Sequence, residues 1–336
     1  MPRSSAGSRD AGGPARRLAR AALEALPDPA RRAVRMRRRD AASRLVPLEE
    51  LDAVVEEAAA CFARGEDAGR EYLARVRVVP PPCPADPFSA EYREWAFELY
   101  TRVSGRGAYS VGHEASPFDL DEALRRPFPY ATGSSIVVGD DLVARGSVLR
   151  ALGLPAPARV VEFGPGWGNL TADLAATGHE VTAVDVDERF CRLVAQRVPG
   201  ANVVCTDMLS FAAAPRGGPF DAAVFFESFH HCADHLALLE LLHGVVGPGG
   251  IVVWGAEPVD VLAYPWGPRL DGLSLWSSRR YGWLELGFDE RYFPEALWRT
   301  GWAARRVAGP TPASTVYVAT ARTAPTTARE VPPRRG

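Results

Sequence analysis

Hydrophobic spacing changes its period along the chain. From Pro47 to about Leu73, Leu48, Leu51, Val54, Val55, Ala58 and Phe62 recur every three or four residues, which predicts helix. Val79-Pro-Pro-Pro-Cys-Pro-Ala-Asp-Pro87 follows as a linker, because proline removes donors and restricts the residue before it. A second helix is expected from an N-cap at Ser89, through Trp95, Phe97 and Leu99, towards Gly105. Residues 106–135 read as loop, and Gly139–Leu152 as helix.

From Arg159 the pattern becomes short β-branched runs alternating with helical ones. Strands are expected at Arg159–Phe163, Glu180–Asp185, Ala201–Cys205, Asp221–Phe226 and Ile251–Trp254. Helices fall at Leu170–Ala176, Glu188–Arg197 and His235–Val246. That alternation predicts a parallel, doubly wound sheet. The end differs: Ala303–Val307 and Ser314–Thr320 are separated by too few residues for a parallel crossover, so they must pair antiparallel.

Composition adds two constraints. All 39 basic residues are arginine, against 41 acids, so the net charge of −2 excludes a generic polyanion binder. That neutrality is an average: residues 1–45 hold twelve arginines and four acids, a basic arm expected to be disordered. Five scattered cysteines without a C-x-x-C spacing argue against a disulfide framework or structural zinc and for a reducing, cytoplasmic setting. No apolar run approaches the roughly 20 residues of a membrane span.

The densest chemical signal is Val160-Val-Glu-Phe-Gly-Pro-Gly-Trp-Gly-Asn-Leu170. Glycines permit a sharp turn and close approach of a ligand to the backbone. The spacing Gly164-x-Gly166-x-Gly168 is not the G-x-G-x-x-G of a dinucleotide site. Glu162, two residues earlier, would repel pyrophosphate but suits an ammonium group. Here the sequence resembles the class I S-adenosylmethionine-dependent methyltransferases, over roughly residues 130–322.

The resemblance implies a Rossmann-like α/β fold with a seven-stranded sheet and an antiparallel C-terminal hairpin. It implies S-adenosylmethionine as cofactor, its methionine part held by Glu162, Gly164, Gly166 and Gly168. Val184-Asp185-Val186-Asp187 supplies the ribose-binding acid at Asp185, with Val186 beside it. Cys205-Thr-Asp207-Met208 fits the adenine contacts. Phe220–His231 resembles the fourth strand and the turn into the active site, which places Glu227 among the cofactor contacts. Val246-Gly-Pro-Gly-Gly-Ile251 resembles the turn before the fifth strand. Tyr130, Thr132 and Ser134 lie where family members close over the methionine end; an ordinary turn with hydroxyl caps is the alternative.

Methyl transfer from a sulfonium is an in-line displacement, so alignment and water exclusion matter most, and an alcohol acceptor also needs a base. His230 and His231 stand at the mouth of the expected site, either as base or as lining. His113 is a further candidate, delivered by the N-terminal segment. His231 and His235 are four apart but lack a third ligand, so no metal is expected. Phe226-Glu-Ser-Phe229 departs from the Asn/Asp-Pro-Pro-Tyr/Phe of enzymes that methylate DNA base amines.

Six of the eight tryptophans fall between Trp254 and Trp302, concentrating aromatic surface there. In the family such an insertion roofs the acceptor pocket, and aromatic faces beside charges suit a sugar or phenolic ring. Tyr264, Trp266, Arg269 and Asp271 are the candidate substrate residues, while Trp276, Trp283 and Trp298 could equally fill core.

The expectation is four segments: a basic arm (1–45), a helical cap (46–135), a methyltransferase core (136–322) with an aromatic insertion (256–290), and a disordered tail (323–336). The expected partner is a small-molecule or glycan hydroxyl, with nucleic acid disfavoured and a homodimer left open. Methylation of RNA or protein through the basic arm, and a non-catalytic scaffold, stand as alternatives.

Overall fold

The computed structural model describes residues 28–322 apart from 42 and 116. The outer arm and the tail from 323, both expected to be disordered, lie outside the described residues.

Seven strands form the central sheet, in the order β11-β12-β7-β6-β3-β4-β5. These are β3 (Arg159–Phe163), β4 (Glu180–Asp185), β5 (Asn202–Cys205), β6 (Phe220–Phe226), β7 (Val246–Gly255), β11 (Trp302–Val307) and β12 (Val316–Ala321). The first five run parallel, and β12 is antiparallel to both β7 and β11. The seven-stranded sheet and its antiparallel closing pair match the sequence expectation.

From β3 the chain winds outward through β4 to β5, then returns to lay β6 on the other side of β3. Strand order therefore reverses between β3 and β6, opening a crevice beyond their C-terminal ends. Period-two alternation gives each face its own core. Val161, Phe163, Phe225 and Trp254 pack on one side, and Val160, Val224, Val253 and Val318 on the other with Val148 and Leu152.

The N-terminal cap is helical, as its spacing implies, but in pieces: Leu51–Phe62, Glu66–Ala74 and Ala90–Ser104. Ser89 caps the third, its side chain accepting from Tyr92 N. The aromatic insertion folds as a three-stranded sheet, β8 (Val259–Asp260), β10 (Leu286–Asp289) and β9 (Trp266–Pro268), with helix Gly272–Tyr281 between β9 and β10. Cap and insertion share one core: Leu51, Val54, Leu73 and Leu99 pack with Tyr264, Leu270 and Leu275. They form a single roof over the crevice.

The inner part of the arm departs from the expected disorder. Asp28–Ala41 is a helix, and two of its arginines grip the acidic edge of the insertion. Arg32 contacts both carboxylate oxygens of Asp289, at 3.0 and 2.5 Å. Arg35 pairs with Asp260 at 2.8 Å and Glu290 at 3.0 Å. No helix among the described residues is long and apolar enough to cross a membrane.

Candidate active site

A cavity of about 1550 Å³ fills the crevice. It exceeds the roughly 300–1,000 Å³ usual for one ligand, so a cofactor and a second substrate can share it. Its floor is the glycine turn, where Gly164 and Gly166 have φ of +67° and +48°. A Cβ on Gly164 would lie 2.6 Å from the Cβ of Ser228, whereas one on Gly166 would meet nothing within 4 Å and fill the open cradle. Gly168 does not face the cavity. It caps helix Asn169–Ala176 and packs against Val194, a correction of the expected cofactor contact.

Glu162, at the end of β3, is buried and accepts from Thr171 Oγ1 at 2.6 Å. Burial pushes its carboxyl up to about 7. Asp185 ends β4, and its two oxygens accept from Asp187 N at 2.9 Å and Gly166 N at 3.2 Å. Burial again dominates, raising it to about 6 against those two donors. Val186, Asp207, Met208 and Glu227 also line the cavity, and Asp207 caps the next helix by accepting from Ser210 N at 2.9 Å. Glu227 takes a left-handed φ of +49° at the end of β6 and opens onto the lumen. Enclosure by protein, then the charges of Asp141, Glu257 and Glu285, raise its carboxyl to about 7.

The upstream hydroxyls are corrected. Tyr130, Thr132 and Ser134 stay off the cavity wall. Thr132 donates to Pro129 O, Ser134 caps the following helix and donates to Asp67, and the Tyr130 hydroxyl accepts from Arg145. The residues that close this side are aromatic: Phe118 from the cap segment packs on Trp167 and Phe190, with ring centroids 5.0 and 4.7 Å away.

On the acceptor side, a tight turn Phe229–His231 carries both histidines. Glu257 accepts from the backbone N–H groups of Ser228, Phe229 and His230 and meets His230 Nδ1 at 2.8 Å. Burial alone would raise this carboxyl, but His230 and those donors hold it below the ordinary range. His231 Nδ1 lies 2.9 Å from Glu114, whose other oxygen accepts from Leu284 N at 3.0 Å. Burial opposes charge on this imidazole, yet Glu114, with Glu285 and Glu257, raises it to about 9. His113 is corrected: its Nδ1 sits 3.0 Å from the Tyr100 hydroxyl, outside the cavity lining, and its neighbour Glu114 reaches in.

Two expected substrate residues are core. Tyr264 donates to Pro268 O at 2.6 Å and Trp266 Nε1 to Pro87 O at 2.8 Å, both buried away from the cavity. Their apolar rings join cap to insertion. Asp271 caps helix Gly272–Tyr281 and holds Arg269 at 2.9 Å, so only Arg269 of the four faces the cavity. The aromatic wall is made instead by Phe62, Trp276, Tyr281 and Trp283, with successive centroids 4.9, 5.3 and 4.8 Å apart.

His230, His231 and Glu285 could hold a metal, each offering one ligand atom within 4.8 Å of the others. His235 takes no part. It is buried against Tyr292, its Nε2 2.7 Å from that hydroxyl, and burial lowers it to about 3.

Sequence reading missed Glu114, Glu257 and Glu285. A signal existed for two: Glu257 follows a buried strand as Asp185 does, and Glu285 interrupts the apolar run Trp283-Leu-Glu-Leu-Gly-Phe288. Glu114 lies in an irregular loop with no pattern to mark it.

Residues 161–254 match the family model described as a methyltransferase domain. An uncharacterized methyltransferase of Oceanobacillus iheyensis is 30% identical over 138 residues, 40% of this chain and 62% of that protein. The ribosomal RNA small subunit methyltransferase A of a Bradyrhizobium strain is 37% identical over 113 residues, 32% of this chain and 39% of its own length. The chain thus spans less than two thirds of the length of each of these curated relatives. Among solved structures, the N-methyltransferase NodS of Bradyrhizobium japonicum, in complex with S-adenosylhomocysteine, is 19% identical, with a TM-score of 0.41, over 60% of this chain and 94% of that one. Over residues 161–254 the core of this chain thus carries a methyltransferase domain.

Proposed function

We propose that the protein transfers a methyl group from S-adenosylmethionine to a hydroxyl of a sugar, glycoconjugate or other small polyhydroxylated molecule. The carrying observation is the edge formed by His230 and His231, which faces an aromatic wall across the same cavity as the glycine turn. Glu162, Gly164 and Gly166 would hold the amino-acid end of the cofactor, Asp185 and Val186 its ribose, and Asp207 and Met208 its adenine. The open cradle at Gly166 and the buried acid at Glu162 fit such a ligand.

When bound, the cofactor supplies an electrophilic methyl on a positively charged sulfur. As the acceptor oxygen forms its bond to that carbon, the carbon–sulfur pair stays on sulfur and the hydroxyl proton must leave. Glu257 takes Nδ1 of His230, which orients that ring and leaves its Nε2 free, and Glu114 stands 2.9 Å from Nδ1 of His231 as an ion-pair partner. Trp276, Tyr281 and Trp283 offer faces for a sugar ring, and Arg269, Glu227 and Glu285 offer partners for its hydroxyls.

Ribosomal RNA methylation is the function named for several of the curated relatives. Arg32 and Arg35 of the arm helix, however, are occupied by acids of the insertion. Mass spectrometry of products from a panel of glycosides, phenols and ribosomal RNA tests the reading. A methyl ether on a glycoside supports it, and methylation confined to RNA overturns it. His230→Ala and His231→Ala should lose turnover while keeping cofactor affinity.

A further inference from the structure

We propose that His230, His231 and Glu285 form a binding site for a divalent first-row transition metal ion, with its open coordination positions towards the acceptor half of the cavity. Two histidines alone are an incomplete set, and sequence spacing offered no third ligand. Folding brings Glu285 there from the insertion, so the three donors converge from two parts of the chain.

Three observations carry the site. First, His230 has the arrangement that metal-binding histidines share, in which a carboxylate takes the second ring nitrogen and fixes the other for the ion. Glu257 does this for His230 at 2.8 Å, while Glu114 stands 2.9 Å from His231 Nδ1 as an ion-pair partner without hydrogen-bond geometry. Glu257 is itself anchored by three backbone amides, so that orientation is built in.

Second, the Glu285 carboxylate is buried, yet it makes no hydrogen bond among the described residues. Its nearest charged neighbours, His230 Nε2 and Arg269 Nη1, both stand 3.8 Å away. Such a gap is too wide for a hydrogen bond. An ion about 2.0–2.2 Å from each ligand atom spans it. A carboxylate that lines the cavity without a protein donor has lone pairs to offer a cation.

Third, the charges do not balance. Glu114, Glu257 and Glu285 surround two imidazoles, and the neighbouring cation, Arg269, is already shared with Asp271. Two nitrogen donors and one oxygen favour zinc, cobalt, iron or manganese over magnesium, which prefers oxygen alone. Three protein ligands leave positions for water or the acceptor's own oxygens.

Use of the ion in catalysis rests on the hydroxyl-methylation reading; its binding does not. The test uses tag-free full-length protein, stripped with chelator and titrated with Co²⁺, read by visible absorption and calorimetry. One equivalent should bind, with d–d bands, and quench Trp283, whose ring lies 6.2 Å from that of His231. Glu285→Gln and His230→Ala should each weaken binding by about tenfold or more. S-adenosylhomocysteine affinity, unchanged in both variants, verifies that they fold. Absence of saturable binding, or binding unaltered in both variants, overturns the site. If Co²⁺ binds as expected but no glycoside or phenol is methylated, the ion site stands and the functional reading falls. If glycosides are methylated fully and Co²⁺ shows no saturable binding, the functional reading stands and the site falls.

Discussion

The two halves of the cavity are built on different principles. The cofactor half comes from the ends of β3, β4 and β6, within one stretch of chain, and strand ends fix its side chains in turn. The acceptor half is assembled from the cap, the turn after β6 and the insertion, with Glu114 of the cap more than a hundred residues from the other two. Local spacing therefore specifies the first, whereas tertiary packing specifies the second. On the proposed reading, the first half holds the cofactor and the second selects the acceptor.

Breaking the cofactor half should have the largest effect. Asp185→Ala should weaken S-adenosylhomocysteine binding by about 100-fold or more, measured by calorimetry, because a buried anion with fixed donors is lost. Gly164→Ala should cost about 1–3 kcal/mol of stability in denaturant titration, since its Cβ meets Ser228 at a left-handed φ. The acceptor half should respond in turnover and not in cofactor affinity. Glu114→Gln should lower kcat by about tenfold with the S-adenosylhomocysteine Kd unchanged.

A pH experiment sharpens the contrast. Carboxyls raised by burial contribute stability that is complete below their ordinary range and lost as pH rises through the folded value. For Glu162 that window runs from about 4.5 to about 7. His235 works oppositely, adding stability between about 3 and 6.5 as pH rises. Subtracting Glu162→Gln from wild type isolates the acid: the wild-type Tm should drop relative to the variant by a few degrees from pH 5 to 8. The smallest effect belongs outside both halves. Arg32→Ala should cost about 1 kcal/mol and leave turnover unchanged.

What could be read in advance follows the same division. Sheet order, hairpin direction and the positions of Glu162, Asp185 and Met208 depend on period, loop length and neighbours in sequence. Tyr264 and Trp266 misled because an aromatic cluster predicts burial without saying against which partner, and here Trp266 meets cap residues Tyr92 and Pro87 while Tyr264 meets Trp95. Thr132 and Ser134 misled for another reason: hydroxyls near helix starts satisfy backbone donors first, and the Tyr130 hydroxyl is taken by Arg145. Glu114 was invisible because its role depends on a loop crossing to the core, and its neighbour His113 carried the more conspicuous chemistry.

That crossing has a mechanical corollary. One carboxylate grips a backbone amide of the insertion with one oxygen and a core imidazole with the other. Any excursion that lifts the loop bearing Glu114 away from the core severs both grips together. With the loop lifted, His231 would lose the neighbouring charge that favours its protonated form, and return of the loop would restore it.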